Sequence, residues 1–132
     1  MTFTVFMFIP RKPGMTLEAF KEYYETKHVP LCWDALGDEK PIRHSRYYIQ
    51  RNPAAQGNAD VPPPLLYLGD PATVDYDCIS MVEYEDEAHF LRFKEVMQNG
   101  PLREKITADQ DAFEDHSRMK ALAVESPKVS ER

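Results

Sequence analysis

Hydrophobic and polar positions along the chain outline four strands and two main helical regions. Thr2 to Pro10 (TFTVFMFIP) is apolar at nearly every position and is closed by proline. Strict alternation is missing, so the run predicts a strand with both faces buried. A small domain covers one sheet face with its own helices, and the other face then needs a partner copy. After the turn Arg11 to Met15, Thr16 is placed to cap a helix running to about Lys27 or His28. Leu17, Phe20, Tyr24 and His28 fall on one helical stripe. Pro30 is expected to disturb the helix, with a further short turn over residues 31–36.

Arg43 to Arg51 (RHSRYYIQR) reads as a second strand and Tyr76 to Tyr84 (YDCISMVEY) as a third. Between them, residues 52–73 form a long excursion containing Pro62, Pro63 and Pro64. Loops of this length in compact domains are usually lids, binding loops or disordered. Leu65, Leu66, Tyr67 and Leu68 are expected to dock it as an apolar flap. Glu85, Asp86 and Glu87 open a helix carrying Phe90, Phe93, Val96 and Met97, which Asn99, Gly100 and Pro101 stop. A short helix from Leu102 to Phe113 and a strand from Arg118 to Glu125 follow.

The predicted order is β-α-β-β-α-β, an α+β ferredoxin-like domain over residues 1–125 with a four-stranded antiparallel sheet. Residues 126–132 read as a polar tail. An all-apolar first strand on an uncovered face predicts a homodimer, two sheets closing an α/β barrel.

The chain has 132 residues, one domain's worth, and a formal net charge of −6. That charge argues against nucleic acid as the main partner, because phosphate binding needs a basic field. The apolar N-terminus is too short for a membrane span or signal peptide, so a cytoplasmic protein with no membrane partner is expected. Cys32 and Cys78 are read as reduced, buried small residues.

Tyr24 and His28, one turn apart on the stripe, are expected to point toward the sheet. A histidine there serves as general acid or base, and a tyrosine beside it donates to a developing enolate oxygen. The competing reading makes His28 a cap at the helix end. His44 shares a strand face with Arg46 and Tyr48, while Ser45, Tyr47 and Ile49 face the other way. Paired aromatic and basic groups suit a planar phenolic or carboxylate ligand; the alternative is a solvated strand with ordinary cross-strand pairs. Asp109, Asp111, Phe113, Asp115 and His116 cluster before the last strand, where an acid can orient His28 or simply line a solvated helix. His89, beside acids, is read as a surface residue. No HExxH, HxH or CxxC occurs, and no GxGxxG, Walker A or GxSxG sequence, so neither a metal nor a nucleotide cofactor is expected.

The string from Phe20 to Leu31 (FKEYYETKHVPL) resembles the EthD-domain signature, an aromatic-rich first helix ending in His-x-Pro. The stretch Asp109 to Asp115 (DQDAFED) resembles that family's acidic segment before its last strand. The resemblance implies a dimeric α/β barrel with a pocket between sheet and helices. It also implies kinship with small fungal decarboxylases and dehydratases of aromatic polyketide pathways. On that footing a cofactor-independent lyase is expected. His28 would donate or accept the proton, Tyr24 with Tyr47 or Tyr48 would hold carbonyl or phenol oxygens, and Arg46 or His44 would bind a carboxylate. Phe20, Trp33, Phe90, Asp111 and His116 complete the expected substrate contacts. Two further enzymatic alternatives are a cofactor-free anthrone-type monooxygenase and a polyketide cyclase. A non-catalytic small-molecule-binding accessory protein is the alternative of a different class.

Overall fold

A computed structural model describes residues 2–132. Its strands are β1 (Phe3–Ile9), β2 (Arg43–Tyr48), β3 (Cys78–Tyr84) and β4 (Lys120–Val124), in the sheet order β2-β3-β1-β4. Every neighbouring pair is antiparallel. This is the ferredoxin-like arrangement that the hydrophobic pattern predicts.

The register sorts residues into two sets of rows. His44, Val82, Val5 and Ala123 lie across one row, and Arg46, Ser80, Met7 and Ala121 across another. These rows face the helices. Between them, Ser45, Met81, Phe6 and Leu122 form one row of the open face, and Tyr47, Ile79, Phe8 and Lys120 form the next. The helix-covered side holds the core: Ile9, Phe20, Tyr24, Cys78 and Phe113 in one cluster, Val5, Val82 and Tyr84 in a second.

The first helical region is continuous where an interruption is expected. Helix α1 (Leu17–Tyr23) is capped by the Thr16 hydroxyl, which accepts from the Ala19 amide at 3.1 Å. It passes into a π-helical turn (Tyr24–His28) and then into α2 (Val29–Leu36). Pro30 therefore does not break the helix. In an unbroken α-helix its ring would meet the carbonyl four residues back, and its missing N–H would leave a gap in the ladder. The wider turn just before it, where the Val29 amide reaches back to the Tyr24 carbonyl, relieves that conflict.

Helix α3 (Glu87–Asn99) starts at Asp86, whose carboxylate accepts from the His89 amide at 2.7 Å. Gly100 ends it, because a Cβ there would lie 2.4 Å from the Val96 carbonyl oxygen. Helix α4 (Arg103–Phe113) leads into β4. His89 is buried, which corrects the expectation of a surface residue. Its Nδ1 accepts from the Glu85 amide and its Nε2 lies 3.1 Å from the Glu39 carbonyl, so the ring ties the start of α3 to the turn that follows α2.

The 52–73 excursion folds back beside the end of β2: Leu65 N–H donates to the Gln50 carbonyl and Asn52 N–H to the Pro63 carbonyl. Leu65 and Leu66 are half-buried, but Tyr67 and Leu68 are more than nine-tenths exposed. The loop borders a small hollow with Tyr47, Ile49 and Tyr76. It does not cover the main cavity.

Candidate active site

A cavity of about 610 Å³ lies between the sheet and the helices. Its apolar end is built by Val5, Val82, Tyr84, Phe90 and Phe93, and its polar end by Tyr24, His28, His44, Asp111, Glu114 and His116. Volume and lining suit a small, largely aromatic organic molecule.

The π turn presents Tyr24 and His28 inward together, with ring centroids 5.9 Å apart. His28 Nδ1 lies 2.8 Å from an Asp109 carboxylate oxygen, and the other Asp109 oxygen accepts from the Tyr23 hydroxyl at 2.6 Å. The His28 ring also packs on Phe113, centroid to centroid 4.9 Å. With Asp109 as acceptor, Nδ1 carries the proton and Nε2 presents its lone pair. The neighbour recorded at Nε2 is the Cys32 sulfur, 3.4 Å away. Burial pushes that thiol up to about 12, so it stays neutral. Burial also lowers the His28 pKa, against the opposing pull of Asp109, which favours a neutral ring at neutral pH.

Tyr24 places its hydroxyl 3.1 Å from His44 Nε2 and 2.9 Å from the Ser80 hydroxyl. His44 is driven down to about 4, first by burial and then by the Arg46 charge. Burial holds the Tyr24 phenol well above its usual value. Both groups are thus neutral hydrogen-bonding surfaces.

Seven of the eleven expected site residues line the cavity: Tyr24, His28, Trp33, His44, Phe90, Asp111 and His116. Phe20 is buried behind Tyr24 in the core. Arg46 and Tyr48 lie on the same strand face as His44, but Glu25 takes both: it accepts two bonds from the Arg46 guanidinium and one from the Tyr48 hydroxyl. Tyr47 stands on the open face, over half exposed. Glu114, unmarked among the acids of its segment, also lines the cavity. Its side chain is 3 % exposed and its Oε1 lies 3.2 Å from His116 Nδ1. Burial raises its pKa to about 7, with Asp111 and Asp109 adding to the rise and His116 opposing it. Among the described residues, no three His, Cys, Asp or Glu side chains gather as a metal-binding group.

The sequence pattern of the EthD domain matches residues 12–117, most of the chain and both segments that supply His28 and Asp109. The chain belongs to the EthD domain family. A curated EthD relative, the conidial pigment biosynthesis dehydratase EthD of Metarhizium robertsii, is 34% identical over 111 residues, covering 82% of this chain and 70% of the relative. Two crystal structures of EthD proteins share the fold. The EthD-like protein of Ralstonia eutropha matches with a TM-score of 0.55 at 15% identity, over 99% of this chain and 95% of that one. The EthD family protein of Bacillus halodurans matches with a TM-score of 0.56 at 14% identity, over 95% and 99%. Among the described residues no helix is long and apolar enough to cross a membrane.

Proposed function

We propose that this EthD protein is a cofactor-independent dehydratase that removes water from a β-hydroxy ketone of an aromatic polyketide intermediate. The observation that carries the reading is the Asp109–His28 pair, which puts His28 on the cavity wall with Nδ1 engaged and Nε2 facing the neutral Cys32 thiol. The pigment dehydratase named above supports water loss as the reaction type. Dehydration is favoured over decarboxylation because Arg46, the residue expected to bind a carboxylate, is already held by Glu25.

Elimination next to a carbonyl needs only proton movements and charge stabilisation. His28 Nε2 takes the proton from the carbon between carbonyl and carbinol. Asp109 fixes the tautomer and steadies the imidazolium that forms. Tyr24 and His44 provide neutral donors against which enolate charge develops. The aromatic end of the cavity, with Phe90, Phe93 and Trp33, holds the ring system.

The test is elimination from an aromatic β-hydroxy ketone, followed by the absorbance of the conjugated product. The His28→Gln variant should lose about 10²–10⁴-fold in turnover. A folded variant working at the wild-type rate refutes the assignment.

The same reading takes the working protein as a homodimer. Its support is the open sheet face, where Phe6, Phe8, Ile79, Met81 and Leu122 lie side by side across three strands.

A further inference from the structure

We propose that Glu114 is the general acid that protonates the departing hydroxyl, and that His116 returns the spent proton to it from solvent. The assignment rests on the dehydratase reading and adds the half of the reaction that His28 cannot perform.

Loss of hydroxide into a largely apolar cavity is prohibitive, so the leaving oxygen needs a proton as the carbon–oxygen bond breaks. Among the groups around His28, the Cys32 thiol and the Tyr24 phenol are held too weakly acidic by burial to supply it. Asp111 is exposed at the rim, out in solvent rather than within the apolar cavity. Glu114 differs in three ways. It follows Phe113, whose ring seats His28, so its side chain borders the same cavity. Its carboxyl is buried, with no lysine or arginine paired to it among the described residues. One of its oxygens meets His116, and among the described residues the second makes no hydrogen bond.

The surroundings favour the protonated acid. His116 faces it from the following turn, Asp109 and Asp111 from α4, and Tyr24 and Cys32 from the first helical region. Arg11 pairs with the Glu114 backbone, but its guanidinium is taken by Asp77 and the Met15 carbonyl. His116 is the basic side chain hydrogen-bonded to it, and more than half of that side chain is in solvent.

The step balances within the cavity. His28 Nε2 accepts the α-proton, and the C–H electron pair becomes the new C=C bond. The C–O bond breaks, and the Glu114 O–H proton goes to the leaving oxygen, giving water. The cycle leaves His28 protonated and Glu114 ionised. His116, hydrogen-bonded to Glu114 and reaching solvent, carries a proton back in, while His28 releases its own to water.

The test compares two substrates on wild type and Glu114→Gln: the β-hydroxy ketone and its β-acetoxy analogue, whose leaving acetate needs no proton. Glu114→Gln should lose about 10²–10³-fold on the hydroxy substrate yet stay within about threefold of wild type on the acetoxy one. The wild-type rate on the hydroxy substrate should fall above about pH 7, and that limb should vanish in the variant. Equal loss on both substrates, or no loss on either, overturns the assignment of Glu114 alone. A wild type that eliminates neither water nor acetate overturns the dehydratase reading and this assignment with it. If the glutamine variant does not fold, Glu114→Asp takes its place, with difference infrared spectra of wild type from about pH 5 to about pH 9. A protonated carboxyl band lasting to near pH 7 supports the acid, and full ionisation by about pH 6 overturns it.

Discussion

The two faces of the sheet are made by the same strands and end up as chemical opposites. On the helix side, β3 contributes Cys78, Ser80, Val82 and Tyr84, all buried, and β2 contributes His44. Polar groups there are partnered with one another: Tyr24 with Ser80 and His44, His28 with Asp109, Glu114 with His116. On the other side, β1 and β3 show Phe6, Phe8, Ile79 and Met81, half-covered by nothing more than their neighbours, with Leu122 and Tyr47 still more exposed. A strand's two-residue period thus lets one segment serve two purposes. The covered face gathers its polar residues around the cavity. The bare face keeps apolar ones in the open, and on the homodimer reading they are the surface that associates.

The largest effect should come from emptying the covered face. Phe113 is fully buried and touches the rings of Phe20, Tyr23, Tyr24 and His28. Phe113→Ala should cost about 3–5 kcal/mol in chemical denaturation and loosen His28 as well. A cost under about 1 kcal/mol would mean that this face is not the core.

A charge on the bare face should act on association instead. Met81→Asp places a carboxylate among Phe6, Leu122 and Ser45. Sedimentation equilibrium should show self-association weakened by at least about 100-fold, since an unpaired charge in an apolar interface costs several kcal/mol. The monomer's own unfolding should change little. Unaltered association would show that the apolar rows are not an interface.

The smallest effect is a pH dependence that belongs to the covered face alone. His44 titrates at about 4 in the folded protein against an ordinary 6.5. The unfolded chain therefore binds more protons between those values, and stability falls as pH drops through that window. His44→Gln should remove about 1–2 kcal/mol of that fall, allowing for partial solvent access. Denaturation curves of wild type and variant at pH 7 and pH 4 read the difference directly, and parallel behaviour would contradict the burial of a neutral imidazole.

Much of this was legible in the residue pattern. The all-apolar first strand, the Thr16 cap, the acidic start of α3 and the alternation in β2 are local signals, and local physics decides them. The inward stripe of Phe20, Tyr24 and His28 follows from helical spacing. Other features depend on what lies across the fold. Alternation puts Arg46 and Tyr48 on the correct face, but only the position of the first helix reveals that Glu25 captures both. Glu114 sits among several acids and nothing beside it in the chain marks it as buried. One clue is its place directly after Phe113, where α4 ends and the backbone turns extended. Pro30 misled because the usual penalty assumes an unbroken α-helical ladder, and His89 because its neighbours in the chain are acids while its neighbours in space are backbone groups.

The π turn carries a consequence for how this wall of the cavity can vary. A ladder that slips by one residue splits a rod into two independently phased halves. Residues ahead of the slip are indexed to Phe20 and the core, and those behind it to Cys32, Trp33 and Leu36. Excising one residue from the slip would restore a uniform α-helical ladder with both halves facing nearly as before, because the bulge already absorbs the extra residue. Such an excision would return Pro30 to a regular ladder, where its ring meets the carbonyl one turn back, so the proline and the extra residue are expected to be lost or kept together.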